Sequence, residues 1–284
     1  MTTPTTFEHR RKPNYKMPPG STDAHCHVFG PASRFPYAPN RRYTPDDAPK
    51  EALAALHKHL GIERTVIVQA SCHGTDNRAM LDAIAANPAR FRGVALVDDK
   101  FTDADYAKLQ DGGVRGVRFN FVKHLGGAPD MGVFNRVLDR VKGMGWHVVL
   151  HLDAPDIASL SDMIRKLPLP VVIDHMGRVP AAGGVEQPAF RALLELVKME
   201  SCWIKVCGSE RISMPPYTPA IPIAAALMKA SPDRTLWGTD YPHPNATHDA
   251  DEADLVDLVP KFAPDAAAQK RVLVDNPARL YGFV

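Results

Sequence analysis

The 284-residue chain lacks the features of several protein classes. No apolar run approaches the roughly 18 residues of a membrane helix. The basic start, His9 to Lys12, is followed by proline and polar residues instead of the apolar segment of a secretory signal. A formal net charge of +2 is too small to favour nucleic acid as a partner. These absences predict a cytoplasmic protein that binds neither membrane nor nucleic acid.

Cysteine is scarce as well. The four cysteines lie mostly within or at the ends of strand-like runs and form no CxxC pair, which favours reduced thiols over a disulfide framework. They are Cys26, Cys72, Cys202 and Cys207. A GxGxxG turn is also missing after the first strand-like run, which disfavours a doubly wound nucleotide-binding sheet. Hydrophobic residues make up 45% and charged residues 23%, so we expect a sizeable core.

Short apolar, β-branched runs alternate with segments of helical periodicity along the chain. The predicted strands span residues 21–28, 64–70, 92–97, 116–121, 147–152, 170–175, 202–207 and 234–240. The predicted helices include residues 49–60, 78–86, 133–144, 157–167, 190–199 and 221–230. Eight strands at this cadence favour a single-domain (β/α)8 barrel of the TIM type. We expect an N-terminal extension over 1–20, the barrel over 21–284, and a closing helix that starts near Pro277.

Polar side chains stand at the ends of several predicted strands. His25 and His27 are two residues apart, so on an extended strand both point to one face. His151, His175 and Asp240 end three other strands, and a parallel barrel gathers such ends at one rim. We therefore predict an active site that contains His25, His27, His175 and Asp240. A lone histidine is more often packed or solvated, and this is our interpretation of His9, His57 and His59.

Two chemistries fit this set of residues. In the first, His25, His27, His151 and Asp240 hold one divalent metal, zinc or manganese, with a position open for water. In the second, no cofactor is needed, because Asp240 is the general base and the imidazoles polarise a carbonyl. His151 favours the metal if its side chain enters the rim beside the pair. The sequence leaves both chemistries open.

Five segments resemble the amidohydrolase superfamily, and in particular its 2-pyrone-4,6-dicarboxylate hydrolase-like group of lactonases. They read TDAHCHVFGP at 22–31, VIVQASCHGTDN at 66–77, GVRFNF at 116–121, VIDHMGR at 172–178 and WGTDYPHPN at 237–245. These segments run from near the start to near the end of the chain. The resemblance implies a distorted β/α barrel that hydrolyses a lactone in the bacterial degradation of aromatic compounds.

The resemblance also implies roles for individual residues. Asp240 would be the general base, with His25, His27 and His175 polarising the lactone carbonyl. Arg118, Arg178 and Arg211 would hold substrate carboxylates, with Tyr43, Ser71 and Asn245 as further polar contacts. A planar guanidinium suits that task because it binds a carboxylate through two parallel hydrogen bonds. The strand position of Arg118 further favours a side chain that faces the site.

The chain departs from that group at two positions. His124 stands where the group has a second arginine, and His151 stands where it has an aromatic hydroxyl; we count both as substrate-binding. The expected substrate is an anionic lactone of the 2-pyrone-4,6-dicarboxylate type, with a sulfomuconolactone-type hydrolase as the alternative. A metal-dependent decarboxylase shares the histidine pair and the final aspartate, and a non-catalytic binding protein is the weakest alternative. The sequence does not decide between a monomer and a homo-oligomer.

Overall fold

A computed structural model describes residues 10–284 of the chain. Residues 1–9, with His9 and part of the expected extension, lie outside the described residues. Eight parallel strands form one sheet in chain order. They are β1 Thr22–Cys26, β2 Arg64–Val68, β3 Phe91–Ala95, β4 Val114–Asn120, β5 His147–His151, β6 Val171–Ile173, β7 Cys202–Lys205 and β8 Thr235–Leu236.

The sheet closes on itself where the chain after β8 meets β1. The Ala24 amide donates to the Trp237 carbonyl at 2.9 Å, and the Asp240 amide donates to the His25 carbonyl at 2.8 Å. Strand β8 is shorter than predicted, because its ladder with β7 ends at Leu236, and residues 237–240 hydrogen-bond to the first strand. The predicted (β/α)8 barrel is confirmed.

Helices follow the strands around the outside of the barrel. Within residues 10–284 the α-helices are α1 Lys50–Leu60, α2 Arg78–Ala86, α3 Asp103–Asp111, α4 Met131–Val141, α5 Ile157–Arg165, α6 Pro188–Val197, α7 Ser209–Ile212, α8 Ile221–Ala230, α9 Glu252–Phe262, α10 Ala266–Lys270 and α11 Asn276–Tyr281. The six helices expected between strands and the closing helix at Pro277 are present. The sequence did not identify α3, whose apolar face is limited to Tyr106 and Leu109 and whose start depends on a capping box of Thr102 and Asp105.

The inside of the barrel is filled by aliphatic and aromatic side chains. Successive strands contribute Val66, Val68, Val94, Val149, Val172 and Leu236, all fully buried. Tyr281 and Phe283, near the end of the chain, pack against this inner cluster. Polar groups that enter such an interior must find partners there, because burying an unpaired polar group is costly.

The side chains of strand β1 do not alternate regularly between the inside and the outside of the barrel. Its pairing with β2 shifts by one residue between Asp23 and Cys26. Ala24 belongs to the inner cluster, yet the next residue, His25, also contacts inward-facing groups of the barrel. The register shift allows both side chains to face inward.

The Asp23 carboxylate links this part of β1 to the chain after β8 through hydrogen bonds. Its Oδ1 atom accepts hydrogen bonds from the His25 and Thr239 amides at 3.1 and 3.0 Å. Its Oδ2 atom accepts from the Thr239 hydroxyl at 2.6 Å. A Cβ atom at Gly238 would lie 2.5 Å from the His25 amide nitrogen, so this close approach requires glycine. The motif thereby holds His25 beside Asp240.

All four cysteines are buried and free. Among the described residues, none of the helices combines the length and apolar character needed to cross a membrane. The chain before β1 contacts α9, where Arg11 forms ion pairs of 2.6 and 2.7 Å with Asp254 and Asp257. The boundary between extension and barrel at residues 20 and 21 stays a prediction.

Candidate active site

The Asp240 carboxylate is the centre of a buried cluster at the rim of the barrel. Its Oδ1 atom lies 3.6 Å from His25 Nε2 and 3.4 Å from His27 Nε2. Its Oδ2 atom accepts a hydrogen bond from Arg211 Nε and lies 3.9 Å from His175 Nδ1. The three histidines expected to be catalytic therefore surround the carboxyl group of the fourth residue, Asp240.

Backbone strain accompanies this cluster. Asp240 and His175 have φ values of +61° and +52°, and Met176 and Arg178 also lie in the left-handed region. Such conformations are uncommon for residues other than glycine and concentrate at functional sites. At Gly208 an added Cβ would lie 2.8 Å from His175 Nδ1, so glycine leaves room for that imidazole.

Asp240 is an ionised carboxylate. Burial alone would raise the pKa of Asp240, but the Arg211 guanidinium outweighs burial and holds that pKa well below its usual range. The Oδ1 atom is buried and has no hydrogen-bond partner among residues 10–284. This oxygen is therefore free to accept a proton from water.

Three imidazoles of the site are neutral. Burial, followed by the Lys205 ammonium, lowers the pKa of His25 to about 3. Burial likewise lowers the pKa of His175 and of His151 well below the ordinary value. A neutral imidazole has one N–H group and one lone pair, so its partners determine which nitrogen carries the proton.

His27 and His175 differ in the group that lies next to the Nδ1 atom of each ring. The Nδ1 atom of His27 lies 2.7 Å from the Val68 carbonyl oxygen, which can only accept, so this nitrogen donates. The Nδ1 atom of His175 lies 3.4 Å from the Cys207 sulfur. Burial raises the pKa of the Cys207 thiol well above its ordinary value, so the sulfur keeps its proton beside His175.

A second layer of buried charges lies below the cluster. The Oδ2 atom of Asp174 accepts from Arg118 Nε at 3.0 Å, while its Oδ1 atom lies 3.1 Å from Lys205 Nζ and 3.2 Å from His25 Nδ1. Lys205 and Asp174 are fully buried. Sequence reasoning assigned no role to either residue. The available signal was a lysine inside the apolar run 202–207, since lysine is almost never buried without a partner.

The three arginines expected to bind substrate all lie in or beside the site. Each pairs with a carboxylate of the chain: Arg118 with Asp174, Arg178 with Asp153, and Arg211 with Asp240. A guanidinium has five N–H donors, so one such contact leaves donors for a ligand. Their role as carboxylate clamps stays a prediction.

The other residues expected to bind substrate differ in their burial and in the groups that they contact. Tyr43 is half-buried, burial raises its pKa, and its phenol hydrogen-bonds to Ser71. His124 and Asn245 are exposed. The His151 ring lies 5.1 Å from that of His175 and 6.5 Å from that of His124.

The structure brings three of the four expected metal ligands together. Ligand atoms of His25, His27 and Asp240 all lie within 4.8 Å of one another. Among the described residues His151 belongs to no such group, because its ring packs beside His175 and its Nδ1 atom is 3.1 Å from the Asn120 side-chain oxygen. His151 is therefore placed better for substrate contact than for the shared ligand position.

A buried ion-pair cluster behind Arg211 was not expected. Its members are Glu210, His243 and Glu252, with His243 Nδ1 3.5 Å from Glu210 and Nε2 3.4 Å from Glu252. Glu210 also lies 3.7 Å from Arg211 Nε. Burial alone would lower the pKa of His243, but the two carboxylates raise it to about 10. The cluster supports the guanidinium that contacts Asp240.

This cluster predicts a pH-dependent contribution to stability. The folded-state pKa of His243 is above its unfolded value of about 6.5, so the contribution is complete below that pH and is lost as pH rises toward 10. His243→Gln should lower the free energy of unfolding by about 3 kcal/mol at pH 6, because it removes the imidazolium that lies between two buried carboxylates. The wild-type and variant values should converge by pH 10.

Urea unfolding at pH 6, 8 and 10 measures this difference. Lys58→Gln is the control, because it also removes a cation and Lys58 is exposed on α1, so it should cost little at any pH. A destabilisation of His243→Gln that stays constant from pH 6 to pH 10 would contradict a charged imidazole at this position.

Comparison with known proteins agrees with the fold and the residues of the rim. The family model described as amidohydrolase matches residues 22–283. The chain belongs to the amidohydrolase family. That family assignment covers the whole barrel and all of the site residues described above.

Two curated relatives are lactone hydrolases by name. A 2-pyrone-4,6-dicarboxylate hydrolase from Comamonas testosteroni is 46% identical over 95% of this chain and 92% of its own length. A 4-sulfomuconolactone hydrolase from Rhizobium radiobacter is 41% identical over 95% of this chain and 93% of its own length. The expected resemblance to this lactonase group is confirmed.

Solved structures share the barrel. A probable 2-pyrone-4,6-dicarboxylic acid hydrolase from Acinetobacter baumannii, with citric acid bound, is 29% identical, with a TM-score of 0.81 over 93% of this chain and 100% of that one. An amidohydrolase from Burkholderia multivorans with bound zinc is 19% identical, with a TM-score of 0.72 over 93% of this chain and 99% of that one. The second likeness concerns the fold alone, although it shows that a barrel of this kind binds zinc in that protein.

Proposed function

We propose that this amidohydrolase opens a small anionic lactone, of the 2-pyrone-4,6-dicarboxylate type, in the degradation of aromatic compounds. The enzyme is a lactone hydrolase, a class of carboxylic ester hydrolase to which both reported relatives belong. One observation carries the assignment to this site. An ionised and unpartnered Asp240 oxygen faces two imidazoles, with Arg118, Arg178 and Arg211 around them.

The chemistry begins with a water molecule that donates one hydrogen bond to Asp240 Oδ1. As the water oxygen attacks the lactone carbonyl carbon, Asp240 accepts a proton. The ring C–O bond then breaks, and the departing oxygen takes that proton back. The product is a ring-opened carboxylic acid, which releases one proton at neutral pH.

Neutral imidazoles and guanidinium groups supply the rest of the proposed mechanism. An imidazole N–H that faces the carbonyl stabilises the negative charge that develops on its oxygen in the transition state. The arginines hold anionic substituents of the ring and keep the carbonyl carbon near the water. Burial of the Asp240 carboxylate and the imidazoles strengthens these interactions, because the local dielectric constant is lower than that of water.

Three residues of a kind that can ligate a divalent metal meet at this site. The Nε2 atom of His25 and the Oδ1 atom of Asp240 have no hydrogen-bond partner among residues 10–284, and the His27 Nε2 atom completes a set of three ligand atoms. A zinc or manganese ion held by these three residues would lower the pKa of a bound water toward roughly 7. The base role of Asp240 in the steps above does not depend on that ion.

The 4-sulfomuconolactone type is the second candidate substrate, and His124 is the observation that favours it. Partial desolvation and the nearby Arg178 charge lower the pKa of His124, so it is neutral where the resembling lactonases have an arginine. A neutral imidazole binds a second carboxylate more weakly than a guanidinium does.

The test is an acid-release assay at constant pH with three lactones at equal concentration. They are 2-pyrone-4,6-dicarboxylate, 4-sulfomuconolactone and the uncharged δ-valerolactone. One anionic lactone should exceed the uncharged lactone in kcat/KM by at least about 100-fold, because two charge-assisted contacts are lost without the anion. Equal turnover of the uncharged lactone, or release of CO₂ without ring opening, would refute the proposal.

A further inference from the structure

Lys205 lies inside the barrel, on β7, below the residues that would touch a substrate. Its Nζ atom is 2.9 Å from His25 Nδ1, with hydrogen-bond geometry, and 3.1 Å from Asp174 Oδ1. The ammonium has three N–H groups, so it can donate to the imidazole and pair with the carboxylate at the same time. An ammonium group can only donate. His25 Nδ1 is therefore an acceptor.

The proton of His25 must then be on its other ring nitrogen. The Nε2 atom is buried, lies 3.6 Å from Asp240 Oδ1, and has no hydrogen-bond partner within the described part of the chain. His27 differs, because its Nδ1 atom donates to the Val68 carbonyl. The two imidazoles of one motif thus have opposite partners at Nδ1, a donor at His25 and an acceptor at His27.

We propose that Lys205 is a positioning residue that keeps the proton of His25 on Nε2, so that His25 donates a hydrogen bond to the lactone carbonyl and is a poor metal ligand. The carbonyl part of this inference rests on the proposed function. The metal part does not, because a nitrogen that carries a proton has no lone pair to coordinate an ion.

The same geometry identifies the alternative proton position on His25 that Lys205 disfavours. If the proton moved to His25 Nδ1, that nitrogen could donate to Asp174 Oδ1, only 3.2 Å away. Carboxylate partners of this kind turn the other ring nitrogen toward a metal in many metal sites. Lys205 competes with that arrangement by occupying the His25 Nδ1 lone pair. The chain therefore carries metal-type ligands whose proton arrangement opposes the metal.

The first test uses the wild-type full chain, freed of metal by a chelator and without lactone. Proton–nitrogen correlation spectra of protein labelled with ¹⁵N-histidine report which ring nitrogen carries the proton. His25→Gln and His27→Gln spectra assign the two signals by their loss. We expect the proton on Nε2 of His25 and on Nδ1 of His27. A proton on Nδ1 of His25 would overturn the inference.

The second test compares two substitutions at the lysine. Lys205→Met keeps most of the side-chain length but removes the donors, so His25 should transfer its proton to Nδ1 and donate to Asp174. The Zn²⁺ affinity measured by calorimetry should then rise by about 10- to 100-fold, the usual size of effects on residues that orient metal ligands. Lys205→Arg retains N–H donors and should keep the weaker, wild-type affinity.

Neither measurement uses a lactone, so failure here is distinct from failure of the proposed function. An unchanged Zn²⁺ affinity in folded Lys205→Met, or equal gains in both variants, would contradict the role of Lys205. If Lys205→Met does not fold, the wild-type spectrum alone decides the position of the His25 proton.

Discussion

Asp240→Asn is expected to lower kcat by about 10²- to 10⁴-fold while the fold is retained, because an amide cannot accept the proton of the attacking water. The amide oxygen can still accept the hydrogen bond from Arg211, so the rim should stay in place. The measurement is kcat on the best anionic lactone, with the thermal unfolding midpoint determined in parallel.

The control is Asp233→Asn, which makes the same chemical change at an exposed position before β8. It should leave kcat unchanged, because this side chain lies outside the site. An Asp240→Asn variant that keeps more than half of the wild-type kcat would remove Asp240 from the mechanism.

Arg118→Met is expected to raise KM for an anionic lactone by about 10- to 100-fold, and to raise it much less for an uncharged one. The guanidinium uses Nε for Asp174, and its remaining donors are available to a carboxylate of the substrate. Removing it also leaves Asp174 with fewer cations, so some loss of thermal stability should accompany the kinetic effect. Steady-state kinetics on both lactones separate binding from stability.

Arg115→Met is the matched control on the same strand. Its guanidinium donates to the Gln110 and Val114 carbonyls, away from the site, so KM should not change for either lactone. If Arg118→Met impaired the anionic and uncharged lactones by the same factor, a structural role would replace the binding role.

Much of this architecture follows from local patterns in the sequence. Alternating β-branched runs and helical segments indicate a parallel barrel, and barrel topology places the ends of all strands at one rim. For this reason the sequence could predict that His25, His27, His175 and Asp240 meet. The position of Asp240 could be predicted without side-chain geometry, because the chain after β8 must return to β1 when the barrel closes.

Other features depend on contacts between distant residues. The register shift in β1 extends over Asp23 to Cys26, and the pattern of apolar and polar residues in that strand does not predict it. Lys205 ends β7 and Asp174 follows the neighbouring β6, so their shared contact with His25 appears only in the folded chain. His151 is at the strand end where it was expected, but its ring turns toward His175 and Asn120, a choice of rotamer that spacing cannot predict.

The ion-pair cluster behind Arg211 also could not be predicted from the sequence. Glu210 and His243 come from the segments after β7 and β8, and Glu252 begins α9. In the sequence these residues look like ordinary charges of rim loops. Only their burial together shows that they form a support for the guanidinium that contacts Asp240.

The central claim, that water opens a lactone ring in this site, is tested most directly by turnover of an anionic lactone in H₂¹⁸O. The account predicts one ¹⁸O atom in the new carboxyl group and one acid equivalent for each ring opened, with both signals lost in Asp240→Asn. A product of unchanged mass, formed without ¹⁸O and without acid release, would contradict it.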